Sequence, residues 1–170
     1  TKLFKRHLYR LKRDNEDVFA TQCAIAPQEE RKVLKEAIKQ CEHLGETQDG
    51  KQILLHRFGE NDPIMREIGV LREFAFRAVG EGSSLRRDID KYDKHYLHLI
   101  LWDEQDLEIV GAYRLADTED VMKNHGIKGL YTHTLFALSN EMNPYLAQGL
   151  ELGRSFVQPQ YWGKRSLDYL

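Results

Sequence analysis

The chain has 170 residues, 41% hydrophobic and 31% charged, with a formal net charge of -2. That length suits one domain with a sizeable core, and that charge balance excludes a global electrostatic attraction to nucleic acid. The longest apolar run, Tyr96 to Trp102, contains His98 and is far too short to span a bilayer. Cys23 and Cys41 match no metal or redox spacing, so reduced thiols and a cytoplasmic setting are expected.

Residues 1–13 carry six Lys/Arg and no acid, and Leu3, Phe4, Leu8 and Leu11 fall on one helical face. Two readings stand for this short basic amphipathic helix: a solvated tail, or a surface that approaches anionic lipid at the inner membrane or an acidic protein. A helix is expected over 27–44. Pro27 suits its first turn, Glu29 and Glu30 its dipole, and Val33, Leu34, Ile38 and Cys41 its apolar stripe. Residues 45–52 have turn chemistry and mark the expected module boundary.

Residues 52–58 read as a strand, and Asp62-Pro63 opens a helix reaching Val79, with Ile64, Ile68, Leu71 and Ala75 on its buried side. Residues 95–102 and 107–115 form an expected antiparallel hairpin around the polar turn Asp-Glu-Gln-Asp. Asp117 caps a short helix ending near Gly126. A strand follows at 150–157, then a loop and the start of a last helix near Gly163. Helices mixed with antiparallel pairs predict an α/β (α+β) fold, with a mixed, largely antiparallel sheet flanked by helices.

The loop Gln160-Tyr161-Trp162-Gly163-Lys164-Arg165 leaves a strand and enters a helix, where free backbone N–H groups and the dipole favour an anion. Most such junctions bind nothing. Here, however, Glu-Leu-Gly-Arg-Ser-Phe-Val-Gln-Pro-Gln-Tyr-Trp-Gly resembles the central strand and phosphate loop of the Gcn5-related N-acyltransferase superfamily. Gln160 and Gly163 match the loop pattern, and Arg165 stands where that pattern has a small residue. A single phosphopantetheine phosphate demands less of such a loop than a full coenzyme A pyrophosphate.

Residues 64–170 as a whole resemble the branch that takes fatty acyl groups from acyl carrier protein. The resemblance rests on "LREFAFRAVGEG", "RRDIDKYDKHYLHLILWD", "EIVGAYRL" and "ELGRSFV". Lyso-ornithine-lipid N-acyltransferases, acyl-homoserine-lactone synthases and bacterial proteins labelled hemolysins belong to it. Residues 1–45 resemble the helical tail of a preceding phospholipid-acyltransferase-type domain, and 46–170 the N-terminal part of the acyltransferase module. Neither end reads as a natural terminus. The chain is expected to be a fragment with an exposed apolar edge and a tendency to pair with a second copy.

N-acylation needs a neutral amine beside a thioester, so a carboxylate must attract the cation and a base must take its proton. The resemblance assigns the acceptor site to the acidic set Asp88, Asp90 and Asp93, with Asp90 and Asp93 first; spacing alone also allows a solvated acidic turn. Glu151 is the candidate general base. Arg154, three residues on, shares its face only if the strand is bulged near Gly153; without a bulge the two cannot face one pocket, and the rival reading is that they make structural ion pairs with other partners. Arg114, on an apolar strand, must be paired if buried, with the acidic cluster or Glu151 as partner. Arg72 and Phe76 match the family's Arg-x-x-x-Phe near the path of the acyl-pantetheine donor, although Phe76 alone reads as core. His95 and His98, three apart on a strand, point to opposite faces, so no metal is expected.

The resulting expectation is an N-acyltransferase moving a (3-hydroxy)acyl chain from acyl carrier protein to the amine of an amino acid such as ornithine. Acyl-CoA as donor, or a non-catalytic docking domain, are the rivals. Arg72, Arg77, Arg86, Arg87, Lys164 and Arg165 would offer acyl carrier protein a basic rim.

Overall fold

A computed structural model describes residues 1–13 and 22–163, so Lys164 and Arg165 of the expected anion loop lie outside the described residues. Helix α1 spans Lys2–Leu11, and α2 spans Arg31–Ile38. Strands β1 (Glu42–Glu46) and β2 (Gln52–Arg57) pair antiparallel. Helix α3 (Pro63–Ala78) begins where expected: the Asp62 carboxylate accepts the Met65 N–H at 3.0 Å and Pro63 occupies the first turn. The other Asp62 oxygen holds His56 Nε2 at 2.6 Å, which ties the helix start to β2.

Strands β3 (Leu97–Asp103) and β4 (Glu108–Asp117) form the predicted hairpin. Helix α4 (Thr118–His125) is capped by Asp117, and a run of short turns with the one-turn helix α5 (Asn143–Leu146) leads into β5 (Leu150–Val157). The sheet order is β1-β2-β3-β4-β5, and each neighbouring pair is antiparallel.

Side chains alternate across the sheet, which divides the apolar residues between its faces. Leu54, Ile100, Trp102, Ala112 and Phe156 join Leu34, Ile38, Ile64, Met65, Ile68, Leu71 and Ala75 of α2 and α3 in the main core. Leu101, Val110 and Val157 gather with Tyr161 in a smaller cluster. A third cluster, Tyr92, Tyr96, Ala116, Val121 and Leu130, sits where α4 meets the start of β3. On β5, Leu150 and Leu152 are exposed.

The helix expected over 27–44 is corrected. It begins at Arg31, ends at Ile38, and residues 42–46 are a strand closed onto β2 by a turn in which the Thr47 N–H donates to Lys51 O. Local periodicity cannot register a partner ten residues away, and pairing with Leu54 and Leu55 decides the conformation. The expected boundary at 45–46 thus falls inside a hairpin, and Leu34 shares one core with Ile100.

Candidate active site

The segment after α3 is pulled tightly onto that helix. The Asp88 N–H donates to Gly69 O at 2.9 Å, and a Cβ on Gly69 would stand 2.6 Å from Ile89, so only glycine permits the approach. Asp90 then caps a single 3-10 turn, Lys91–Lys94. Its carboxylate accepts the Tyr92 N–H while that of Asp93 accepts the Asp90 N–H, a reciprocal capping box. This turn is what brings Asp88, Asp90 and Asp93 together.

Three guanidiniums converge on it. Arg72 is 1% exposed, makes two hydrogen bonds to Asp93 at 3.1 and 3.0 Å, and also donates to the Asp88 carbonyl. Arg114, equally buried, donates to Asp90 at 2.7 Å and Asp93 at 3.3 Å, so its partners are the acidic cluster. Its guanidinium carbon also lies 5.1 to 5.8 Å from the ring centroids of Tyr96, Tyr131 and Tyr92. Arg154 reaches Asp88 at 3.7 Å and Asp90 at 3.6 Å.

These contacts set the protonation states. Burial alone would raise the Asp93 carboxyl, but Arg72, the Asp90 N–H and Arg114 outweigh it and hold the pKa below the usual range. For Asp88 burial wins over Arg72 and Arg154, and its pKa rises. Burial would depress Arg114; Asp90 and Asp93 reverse that and raise it.

Strand β5 carries the bulge on which the Glu151–Arg154 pairing depends. The register runs Glu151 opposite Ala116 and Gly153 opposite Arg114, then slips so that Phe156 faces Ala112. Arg154 sits in the slip with φ +50°, a left-handed conformation that an arginine adopts only under tertiary constraint. Both side chains then reach the Tyr131–Thr132 turn: Arg154 lies 5.6 Å from the Tyr131 ring, and Glu151 accepts from Thr132.

Glu151 is held by three donors. One oxygen accepts the Thr132 N–H at 2.6 Å and its hydroxyl at 2.5 Å; the other accepts the Tyr96 hydroxyl. The Tyr131 N–H in turn donates to the Tyr96 oxygen at 2.9 Å. Burial and the bond to Glu151 raise the Tyr96 pKa, so its hydroxyl remains a neutral donor. Sequence reading missed Tyr96, Tyr131 and Thr132. The last two lie in the non-periodic stretch between α4 and β5, which offers no pattern to read.

A cleft of about 320 Å³ opens beside Arg154, lined also by Phe76, Glu81, Tyr131 and Ser155, and Glu151 lines a separate cavity of about 280 Å³ with Thr132, Leu130, Leu138, Tyr145 and Leu152. Phe76 is therefore both partly packed on the core and on the cleft wall. Its expected companion Arg72 is not on that wall. Facing inward from α3, it must have its charge neutralised, and it lies in the ion network. Arg72 is for the same reason withdrawn from the expected basic rim, and Arg77 is occupied by Glu73 at 2.6 Å.

The loop after β5 lies at the strand's other end, roughly 20 Å from Glu151 at 3.3 Å per residue. Gln158 N donates to Val110 O, Gln160 Nε2 donates to Glu108 at 2.7 Å, and Gly163 has φ +77°. Gln160 and Gly163 are thus adjacent to one another and remote from the acids, with the length of β5 between them.

An antiparallel sheet with an acid near the start of its bulged last strand, a glycine-containing loop after that strand and helices packed on it defines the class, an open α/β sheet flanked by helices. Residues 71–170 match the family described as acetyltransferase (GNAT) domain, and the chain belongs to that family. The five-stranded antiparallel sheet flanked by helices is consistent with its fold.

The chain is 44% identical over 119 residues to a glycine N(alpha)-acyltransferase of Bacteroides thetaiotaomicron, covering 67% of this chain and 35% of that protein. It is 35% identical over 142 residues to a protein of the same name from Phocaeicola vulgatus, covering 80% and 44%. An L-ornithine N(alpha)-acyltransferase of Rhizobium meliloti is 35% identical over 106 residues, covering 59% and 35%. The chain thus spans between a third and a half of the length of these relatives. No solved structure matches it.

Proposed function

We propose that this chain is the acyl-transferring part of an enzyme that acylates the amine of a small amino acid from an acyl-phosphopantetheine thioester. The observation carrying this reading is Glu151, a carboxylate oriented by Tyr96 and Thr132 on the wall of a cavity otherwise lined largely by apolar side chains such as Leu130, Leu138, Tyr145 and Leu152. The amine enters as an ammonium drawn to Glu151, which takes one proton. The free amine attacks the thioester carbonyl; as the tetrahedral intermediate collapses and the C–S bond breaks, the nitrogen's second proton passes to the leaving sulfur, so the products are the amide and the pantetheine thiol. No acyl-enzyme is required. Asp90 and Asp93, expected in the acceptor site, support the cleft through Arg114 and Arg154.

Names of relatives support an amino-acid acceptor, glycine in two cases and ornithine in three. The 44% identity to one glycine-named relative, against at most 35% to the ornithine-named ones, favours glycine beside the ornithine that the motif resemblance suggested. The donor is acyl carrier protein or coenzyme A carrying a fatty acyl group, its phosphate at Gln160–Gly163 together with Lys164 and Arg165. A lyso-aminolipid product would leave at a membrane surface. There α1, with Leu3, Phe4 and Leu8 exposed among basic residues, would rest on anionic lipid from the cytoplasmic side. No described helix is long and apolar enough to cross a membrane. The exposed Leu150 and Leu152 on β5 would be the place where two copies pair.

The test supplies the parent protein with 3-hydroxyacyl carrier protein or acyl-CoA, and glycine or ornithine, and follows N-acyl product by mass spectrometry. Product that depends on Glu151 supports the reading. Equal product from Glu151→Gln would instead favour a non-catalytic docking role.

A further inference from the structure

The cavity that Glu151 lines, about 280 Å³, lies where the turns after α4 meet the start of β5, and its walls are largely apolar. Leu130, Leu138, Met142, Leu146 and Leu152 supply most of them, and among the described residues Glu151 is its one charged lining group. The two lining threonines have one hydroxyl proton each, and both are committed. Thr118 donates to Leu146 O or Gly149 O, and Thr132 to Glu151. Burial gives the cavity a direction. Leu130 is 1% exposed and forms the floor with Thr118, whereas Tyr145 and Leu150, at 72% and 66%, stand at the rim.

We infer that this cavity receives the hydrocarbon of the donor's acyl group and measures its length, with Leu130 as the stop. This rests on the proposed acyl transfer and goes further by placing the acyl chain. An amine that gives its proton to Glu151 lies against that carboxylate when its nitrogen attacks the thioester carbonyl. The carbonyl must come within bonding reach of the same spot, so the carbons attached to it are the nearest apolar group in need of burial. The amino-acid end fits the cavity poorly. Its carboxylate would meet no cation on walls of leucine and methionine, and burying an unpaired charge is costly. A hydrocarbon instead gains by leaving water, about fourfold in binding for each methylene buried. At about 30 Å³ for a water-sized group, a cavity of about 280 Å³ holds on the order of nine carbons. Carbons beyond that number lie over the exposed rim and gain little.

The experiment titrates this chain with acetyl, butyryl, hexanoyl, octanoyl, decanoyl and dodecanoyl phosphopantetheine, the arm common to both donors, by calorimetry and NMR. Affinity should climb about fourfold per methylene through octanoyl and flatten between decanoyl and dodecanoyl. Methyl signals of Leu130, Leu138 and Leu146 should shift with chain length. Leu130→Phe, which fills the floor, should move the plateau about three carbons shorter. Should that variant fail to fold, Leu152→Asp, at an exposed position of the wall, should weaken octanoyl binding at least about tenfold and leave acetyl binding within about twofold. Affinity independent of chain length, no binding of any member, or chain-dependent shifts at Val70 and Phe74, which line another cavity, would overturn the inference. So would shifts that follow protein concentration instead of ligand, since a second copy over Leu150 and Leu152 would then cover the rim. Chain-length dependence without acyl transfer in the parent protein would sink the proposed function and leave this assignment standing. Acyl transfer with a flat series would do the reverse.

Discussion

Two halves of one polar assembly behave oppositely. Around Arg72, Arg114 and Asp93 every charge is buried and answered by a close partner, so the cluster acts as a scaffold that locks the acidic turn onto α3 and β4. Around Glu151 and Arg154 the groups are partly exposed, held by tyrosine and threonine or by long ion pairs, and each lines a cavity of its own. Close ion pairing with full burial marks the first half, and longer ion pairs with partial exposure mark the second. Substitutions in the first should therefore move stability, and those in the second activity.

The largest effect tests the scaffold. Asp93→Ala leaves Arg72 and Arg114 buried without their shared partner, and should cost about 3–5 kcal/mol. A urea titration would read this as a lowered midpoint at unchanged slope. A loss under 1 kcal/mol would show that the buried half is not a scaffold. Glu151→Gln probes the other half: acyl transfer by the parent protein should fall about 10²–10⁴-fold while the urea midpoint hardly moves.

Acid sharpens the contrast. Burial lowers the His98 pKa from 6.5 to about 4, against the pull of Asp93. The unfolded chain therefore binds the extra proton first. The stability His98 contributes is complete above pH 6.5 and is lost as pH falls toward 4. Wild type should lose about 3 kcal/mol across that window relative to His98→Gln, measured as the difference between their stability-versus-pH curves. Asp93 acts at lower pH: its depressed pKa keeps its contribution intact above 3.8 and loses it as pH drops below. The smallest effect is that of Tyr96→Phe, which removes one donor to Glu151. It should change the acyl-transfer barrier by about 1 kcal/mol, several-fold in rate, and a hundredfold loss would give Tyr96 a chemical role instead.

Much of this arrangement was readable before any coordinates. Asp62-Pro63 and Asp117 announce their helices because capping is local chemistry, and the polar turn at 103–106 announces its hairpin for the same reason. Burial of Arg114 with acidic partners followed from an arginine on an apolar strand. The strand at 42–46 did not show itself, because its cause is a partner strand. Nor did the inward turn of Arg72, the shelf of Tyr96 and Thr132, or the partial exposure of Arg154.

What the amino-acid order determined alone was the helix starts at Asp62-Pro63 and Asp117 and the hairpin at 103–106, products of contacts within a few positions, together with the motif residues that carry the family. Only the tertiary structure decided which charges are saturated and which face the cleft. That distinction depends on where the bulge at Arg154 and the turn at Asp90–Asp93 meet, 61 to 64 residues apart in the chain and side by side in space.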